Sequence, residues 1–199
     1  MDALETFRHA MKLYMEQNQQ DPDHRIGSLL YQAAYSGCAD AQFFMPYLGL
    51  DYYCQNSETP EFWYKKAATQ GGHPHAQYCY AISILNSRDR RDSQHAEETK
   101  EEAMHWLREA ATKGITSAAF MLYHIANLGL WGVDSNGDQA DYWLHIAKQN
   151  RAQFNEKQQY QKANRDCAEP EDWELDFHKD SIFIFDENDL KKWNQYIGM

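Results

Sequence analysis

The chain has 199 residues, 30 acidic against 19 basic side chains, a net charge of −11, and 14% aromatic residues. That length is one domain with room for a small annex, and six Trp, nine Phe and thirteen Tyr give it a core that needs no disulfide or metal staple. The charge argues against sequence-independent binding to nucleic acid or to an anionic membrane, both of which depend on Lys and Arg, and points to a basic protein partner.

The first element in chain order is a helix. Leu4, Phe7, Met11, Tyr14 and Met15 share one helical stripe, which predicts a capping helix within residues 1–20. Asp2 and Glu5 stand where a secretory signal needs a basic start, and no run nears the roughly 18 apolar residues of a membrane span, so a cytosolic protein is expected. Asp21-Pro22 and Thr59-Pro60 each place a capping oxygen before a proline at the first helical position, predicting helices over 22–36 and 60–70.

From 21 to 165 the chain repeats. Leu29-Leu-Tyr-Gln-Ala-Ala-Tyr-Ser-Gly37, Trp63-Tyr-Lys-Lys-Ala-Ala-Thr-Gln-Gly71, Trp106-Leu-Arg-Glu-Ala-Ala-Thr-Lys-Gly114 and a degenerate Trp143-Leu-His-Ile-Ala-Lys-Gln-Asn-Arg151 align, their anchors 34, 43 and 37 residues apart. That is the period of two-helix repeats. After each glycine a small-residue signal opens another helix: Ala41-Gln42-Phe43, Ala76-Gln77-Tyr78, Ala118-Ala119-Phe120. Small Ala lets two helices approach, the bulky anchor fills the gap between repeats, and Gly ends a helix. Pro46 is expected to kink or interrupt its helix. The charged run from Ser87 to Glu102 reads as a lengthened exposed loop running into a helix, and the polar stretch up to about Lys162 as the continuation of another.

Periodicity stops at Glu169-Pro170. Trp173, Leu175 and Phe177 alternate with acids and His178 before Ile182-Phe-Ile-Phe185, which fits a small β-hairpin, and the segment from Asp186 reads as a last helix. Residues 166–199 are thus an acidic, aromatic annex. Ten acids and one base lie between Asp166 and Asp189, a net of −9, interleaved with Trp173, Phe177, Phe183 and Phe185. Acids steer an encounter and aromatics anchor it, so Asp172, Trp173, Glu174 and Asp176 are candidate partner-binding residues. An acidic tail can equally be a solubilising one.

Enzyme signatures are sparse: there is no phosphate-cradling Gly-rich loop, no Gly-x-Ser-x-Gly elbow and no His-Glu-x-x-His helix. His73, His75 and Cys79 form an incomplete ligand set in the turn of the second repeat, where one residue is inserted; turn histidines explain them more simply than a metal site. His105, His124 and His145 recur on helices as a potential titrating row. The Trp63, Trp106 and Trp143 series reads as core packing. Cys38, Cys54, Cys79 and Cys167 form no Cys-x-x-Cys pair and read as reduced, mostly buried thiols. No cofactor and no catalytic residue is implied.

The repeat phrase, with Gly129-Leu-Trp-Gly132-Val-Asp134, Ala140 and Trp143 after it, resembles the Sel-1-like repeat family, a relative of the tetratricopeptide repeats, over about residues 25–150. Gly129 and Gly132 stand one residue further apart than in the family phrase, and its Leu-Gly pair becomes Met45-Pro46, Tyr80-Ala81 and Leu122-Tyr123. The resemblance implies an all-α protein, an α-solenoid of helix-turn-helix repeats with a curved groove. By tetratricopeptide geometry its outward positions are Tyr47, Asp51, Ile82, Asn86, His124 and Asn127. Sel-1-like proteins are common in bacteria as adaptors and beside secreted toxins. A small, acidic, cytosolic member therefore looks like an immunity protein masking a basic, nucleic-acid-handling toxin; a regulatory or assembly adaptor is the alternative, and a hydrolase or metal-dependent enzyme a third.

Overall fold

A computed structural model describes residues 2–17, 20–21, 23–55, 58–86 and 93–163. Among them the regular elements are all helical: α1 (Ala3–Glu16), α2 (Arg25–Tyr35), α3 (Ala39–Tyr47), α4 (Pro60–Gly71), α5 (Pro74–Asn86), α6 (Ser93–Thr112), α7 (Thr116–Leu128), a short 3-10 turn (Leu130–Gly132) and α8 (Gly137–Ala163). The hairpin and last helix expected over 166–199 lie outside the described residues. The chain divides into two compact units, 1–109 and 110–199. In the first, α1 packs on α2, α2 on α3, α3 on α4 and α4 on α5; in the second, α7 packs on α8. Among the described residues no helix is long and apolar enough to cross a membrane.

The recurring Ala-Ala-x-x-Gly has a backbone reason. In the first copy Gly37 takes φ 94°, its N–H donates to the Ala34 carbonyl at 3.1 Å, and the Cys38 N–H reaches Ala33 at 3.1 Å. In the third, Gly114 at φ 98° donates to Ala111 (3.1 Å) and Ile115 to Ala110 (3.0 Å). This pair of bonds satisfies two helix-end carbonyls, and only a residue content at positive φ completes it. Buried amides reinforce the same place. Gln42 Nε2 donates to Ala34 O at 3.0 Å and Asn150 Nδ2 to Ala111 O at 2.8 Å, which explains the Gln after Ala41. The fourth copy has Arg151 where Gly would stand, and α8 continues through it to Ala163.

The second copy differs by one residue. Gly71 remains in α4, Gly72 takes the left-handed conformation (φ 62°), and the His73 N–H bonds Ala67 O at 3.1 Å, a wider turn than its counterparts. Gly71 is needed for space: a Cβ there would fall on the Ala39 Cβ and lie 3.4 Å from Ala39 Cα. The start of α3 and the end of α4 therefore touch backbone to backbone.

At α1 and α4 the helix start follows a side-chain oxygen. Asp2 and Glu5 form a capping box on α1, with Asp2 Oδ1 accepting the Glu5 N–H at 2.7 Å. Phe7, Met11 and Tyr14 of the predicted stripe are buried, whereas Leu4 and Met15, at its edges, are 42% and 39% exposed. Thr59 caps α4 through Phe62 N at 3.3 Å, with Pro60 as the first helical residue. Pro46 does not interrupt its helix: α3 runs through it and ends one residue later at Tyr47, with the Leu48 N–H still bonded to Phe44 O at 2.9 Å.

α2 corrects the expectation of a start at 22: it begins at Arg25. Asp21 caps it from further away, Oδ1 accepting Ile26 N–H at 2.9 Å and Oδ2 accepting Gly27 N–H at 2.7 Å. The Tyr52 hydroxyl also donates to Asp21 Oδ2. Its ring lies so close to Gly27 that a Cβ there would meet Tyr52 Oη at 2.6 Å. The loop after α3 is thereby latched onto the start of α2. Burial alone would raise the Asp21 carboxyl, but the Gly27 N–H, the Tyr52 hydroxyl, the Ile26 N–H and the nearby His24 outweigh it and hold it below its ordinary value of 3.8. A lowered folded value means the latch stabilises the chain above the unfolded pKa and loses that contribution as pH falls through the folded one. Stability measured by urea unfolding is expected to drop as pH is lowered below about 4, and Asp21→Asn to flatten that dependence.

In the second unit, Asn136 Oδ1 caps α8 through Gln139 N at 3.1 Å, and Ala140, Ala147 and Asn150 turn inward. The tryptophan series is not uniformly core: Trp63 is fully buried, while Trp106 and Trp143 are half-buried.

Candidate functional site

The densest aromatic cluster of the first unit centres on Phe43 of α3. Its ring stacks on Tyr47 (centroids 5.0 Å, 24°) and on His73 (4.5 Å, 25°). Tyr64 of α4 lies at 6.0 Å and His75 of α5 at 5.8 Å. The elements converge because the Ala-Gln-aromatic signal puts Phe43 one turn before Tyr47, while the Gly71 contact holds α4 against the start of α3. Phe43 and His73 are buried, whereas Tyr47, Asp51, Tyr64, His75, Cys79 and Ile82 are half-buried. Only the latter group lies within reach of a partner.

His73 has a structural task. Its Nδ1 accepts the Ala76 N–H at 3.2 Å, capping α5 before Pro74, so that nitrogen carries no proton. The proton of a neutral ring then sits on Nε2, which faces Asp40 Oδ1 at 3.7 Å. Cys38 and Ile115 hold the equivalent place in the other turns and also end up buried.

Electrostatics on this face favour neutral groups. Burial pushes the Tyr64 hydroxyl up, with Cys79, Tyr47 and Asp51 adding to the effect. Burial likewise takes Tyr78 and Cys79 up to about 12, and raises Cys38 and Cys54. The three described thiols are thus protonated at neutral pH, unlike an activated nucleophile. What the face offers is ring surface, hydroxyls and the Asp51 carboxylate.

Tyr47 and Asp51 both lie within electrostatic reach of Tyr64 and help to raise its hydroxyl, and Tyr47 and Tyr64 both meet the Phe43 ring. Ile82 stands one turn beyond Cys79 on α5, and Asn86 is exposed at the end of that helix. Asn127 of α7 is exposed, but His124 is 5% exposed and is no outward position; burial lowers its pKa. His105 and His145 are exposed, so the three helix histidines do not share one environment. Asp172, Trp173, Glu174 and Asp176 lie outside the described residues. Among the described residues no group of three His, Cys, Asp or Glu side chains could hold a metal ion, so His73, His75 and Cys79 do not come together as a ligand set. Sequence reasoning missed Tyr64; its signal was the Trp63-Tyr64 pair, where the third copy has Trp106-Leu107. No protein-family model matches the chain, and no curated protein matches it.

Proposed function

We propose that the protein is a non-enzymatic protein-binding module, an α-solenoid of Sel-1-like, tetratricopeptide-related repeats, and that it acts in the bacterial cytosol as an immunity protein masking a basic toxin. The observation that carries the binding reading is the half-buried face in which Tyr47, Tyr64 and Asp51 come from α3, α4 and the loop between them. Rings with one carboxylate suit a cationic side chain of another protein. The segment 166–189, with its net −9, supports the same sign of partner by steering it. A toxin that handles nucleic acid has a basic active site, and an acidic surface would compete for it.

Capture from the native cell's lysate tests the reading. One stoichiometric basic partner is expected, weakened about tenfold by Asp51→Asn combined with Tyr64→Phe and lost when the acids of 166–189 are changed to Asn and Gln. Co-expression should relieve the partner's toxicity. Several partners indifferent to all these changes would point away from charge-guided masking.

A further inference from the structure

A second surface lies on the pair α2–α4. Tyr31 and Tyr35 stand one turn apart on α2, their rings 5.9 Å apart, and Phe62 and Lys66 one turn apart on α4. The Lys66 ammonium sits over three rings: Trp63 at 5.1 Å, Phe62 at 5.3 Å and Tyr35 at 5.8 Å from their centroids. Tyr35 is 67% exposed and Phe62 38%, so this is an aromatic patch open to solvent with a cation at its centre. Among the described residues no carboxylate forms an ion pair with Lys66. Its helix neighbours at four residues' distance are Phe62 and Gln70, neither of them acidic. Glu58, on the rim, is engaged by the Tyr31 hydroxyl (3.3 Å) and the Gln55 N–H (3.0 Å). The preceding residue, Lys65, places its ammonium 5.5 Å from the Tyr80 ring centroid.

We propose that this α2–α4 patch is a docking surface for the acidic segment 166–189 of a second copy of the chain. The segment's net −9 leaves only −2 on the other 175 residues, so nearly all the uncompensated charge lies in one stretch and a cation without a carboxylate lies in the other. Trp173, Phe177, Phe183 and Phe185 supply the rings that Tyr35 and Phe62 can pack against, and carboxylates between them meet Lys66. Exposed aromatic rings are enriched at interface centres, and the charge of Lys66 gives an incoming carboxylate segment its complement and its register. A second copy suits the pairing because each chain owns both the patch and the segment, so two reciprocal contacts close a twofold dimer with no unmatched surface. A basic partner that draws the segment away would release the patch.

Sedimentation of the full-length chain over a range of concentrations tests this. A monomer–dimer equilibrium is expected, with the dissociation constant rising about tenfold or more for Lys66→Glu and on raising salt from roughly 50 to 500 mM. Lys66→Arg retains the dimer, Tyr35→Ala weakens it, and a synthetic peptide of residues 166–189 dissociates it. Tyr35 is 67% exposed and Lys66 half-buried, and each variant is first checked to keep the far-UV circular dichroism of the parent. A monomer at every concentration, or a dimer indifferent to Lys66→Glu and to the peptide, overturns the proposal.

Discussion

Trp63→Ala is expected to lower the stability of the first unit by about 3–5 kcal/mol, read as a fall in the urea midpoint without change of slope. Trp63 is 0% exposed. Its indole N–H donates to Cys54 Sγ at 3.1 Å, while the rings of Phe62 and Tyr31 meet it edge-on at 5.1 and 6.2 Å. Removing the indole leaves a cavity shared by α2, α4 and the loop before α4, elements too closely held to collapse into it. A loss of that size is a large part of the roughly 5–15 kcal/mol by which a domain is stable. Trp106→Ala and Trp143→Ala should lose clearly less, since both residues are half-buried and the Trp106 Nε1 has no hydrogen-bond partner among the described residues. Equal losses at all three would mean that the repeats are packed alike after all.

Gly71→Ala is expected to destabilise by about 1–3 kcal/mol through overpacking, although alanine is the better helix former. The added methyl would fall on the Ala39 Cβ, which sits on backbone at the start of α3 and cannot rotate away. The second substitution Ala39→Gly should restore most of the loss, short of the roughly 1 kcal/mol that glycine costs in a helix. A double-mutant cycle by urea unfolding gives that coupling directly. If the rescue fails, the insertion in the second repeat is accommodated elsewhere than at this contact. The same contact holds α4 against α3 and so sets the spacing of Tyr47 and Tyr64. Gly71→Ala is therefore expected to weaken partner binding as well as folding.

Helix identity was legible in the residues because it rests on local, short-range chemistry. Thr59 with Pro60 marks a start within a few residues of the group it caps, whereas the capping box of Asp2 and Glu5 on α1 emerged only in the structure. Ala-Ala-x-x-Gly marks ends because the bonds from Cys38 to Ala33 and from Ile115 to Ala110 need only a positive-φ glycine between them. The continuation of α8 through Arg151 follows from the same rule. The start of α2 was misjudged because Asp21 caps Ile26 and Gly27 across an intervening turn and is held there by Tyr52, a residue 31 positions later. No local pattern encodes that bond.

The candidate face was legible only in part. Tyr47 and Asp51 were reached through repeat phase, but phase placed His124 outward by analogy, and the packing of the second unit buries it. Tyr64 was overlooked because its neighbour Trp63 carries the repeat signal. The residues by themselves determined that the described part of the chain is helical, where α4 begins, where the glycines end α2 and α6, and where the negative charge lies, since propensity, capping and ionisation belong to short stretches of chain. Which anchors are truly core, which histidine is a buried cap, and which tyrosines gather around Phe43 were decided by tertiary structure, because burial and ring contacts depend on helices brought together from distant positions.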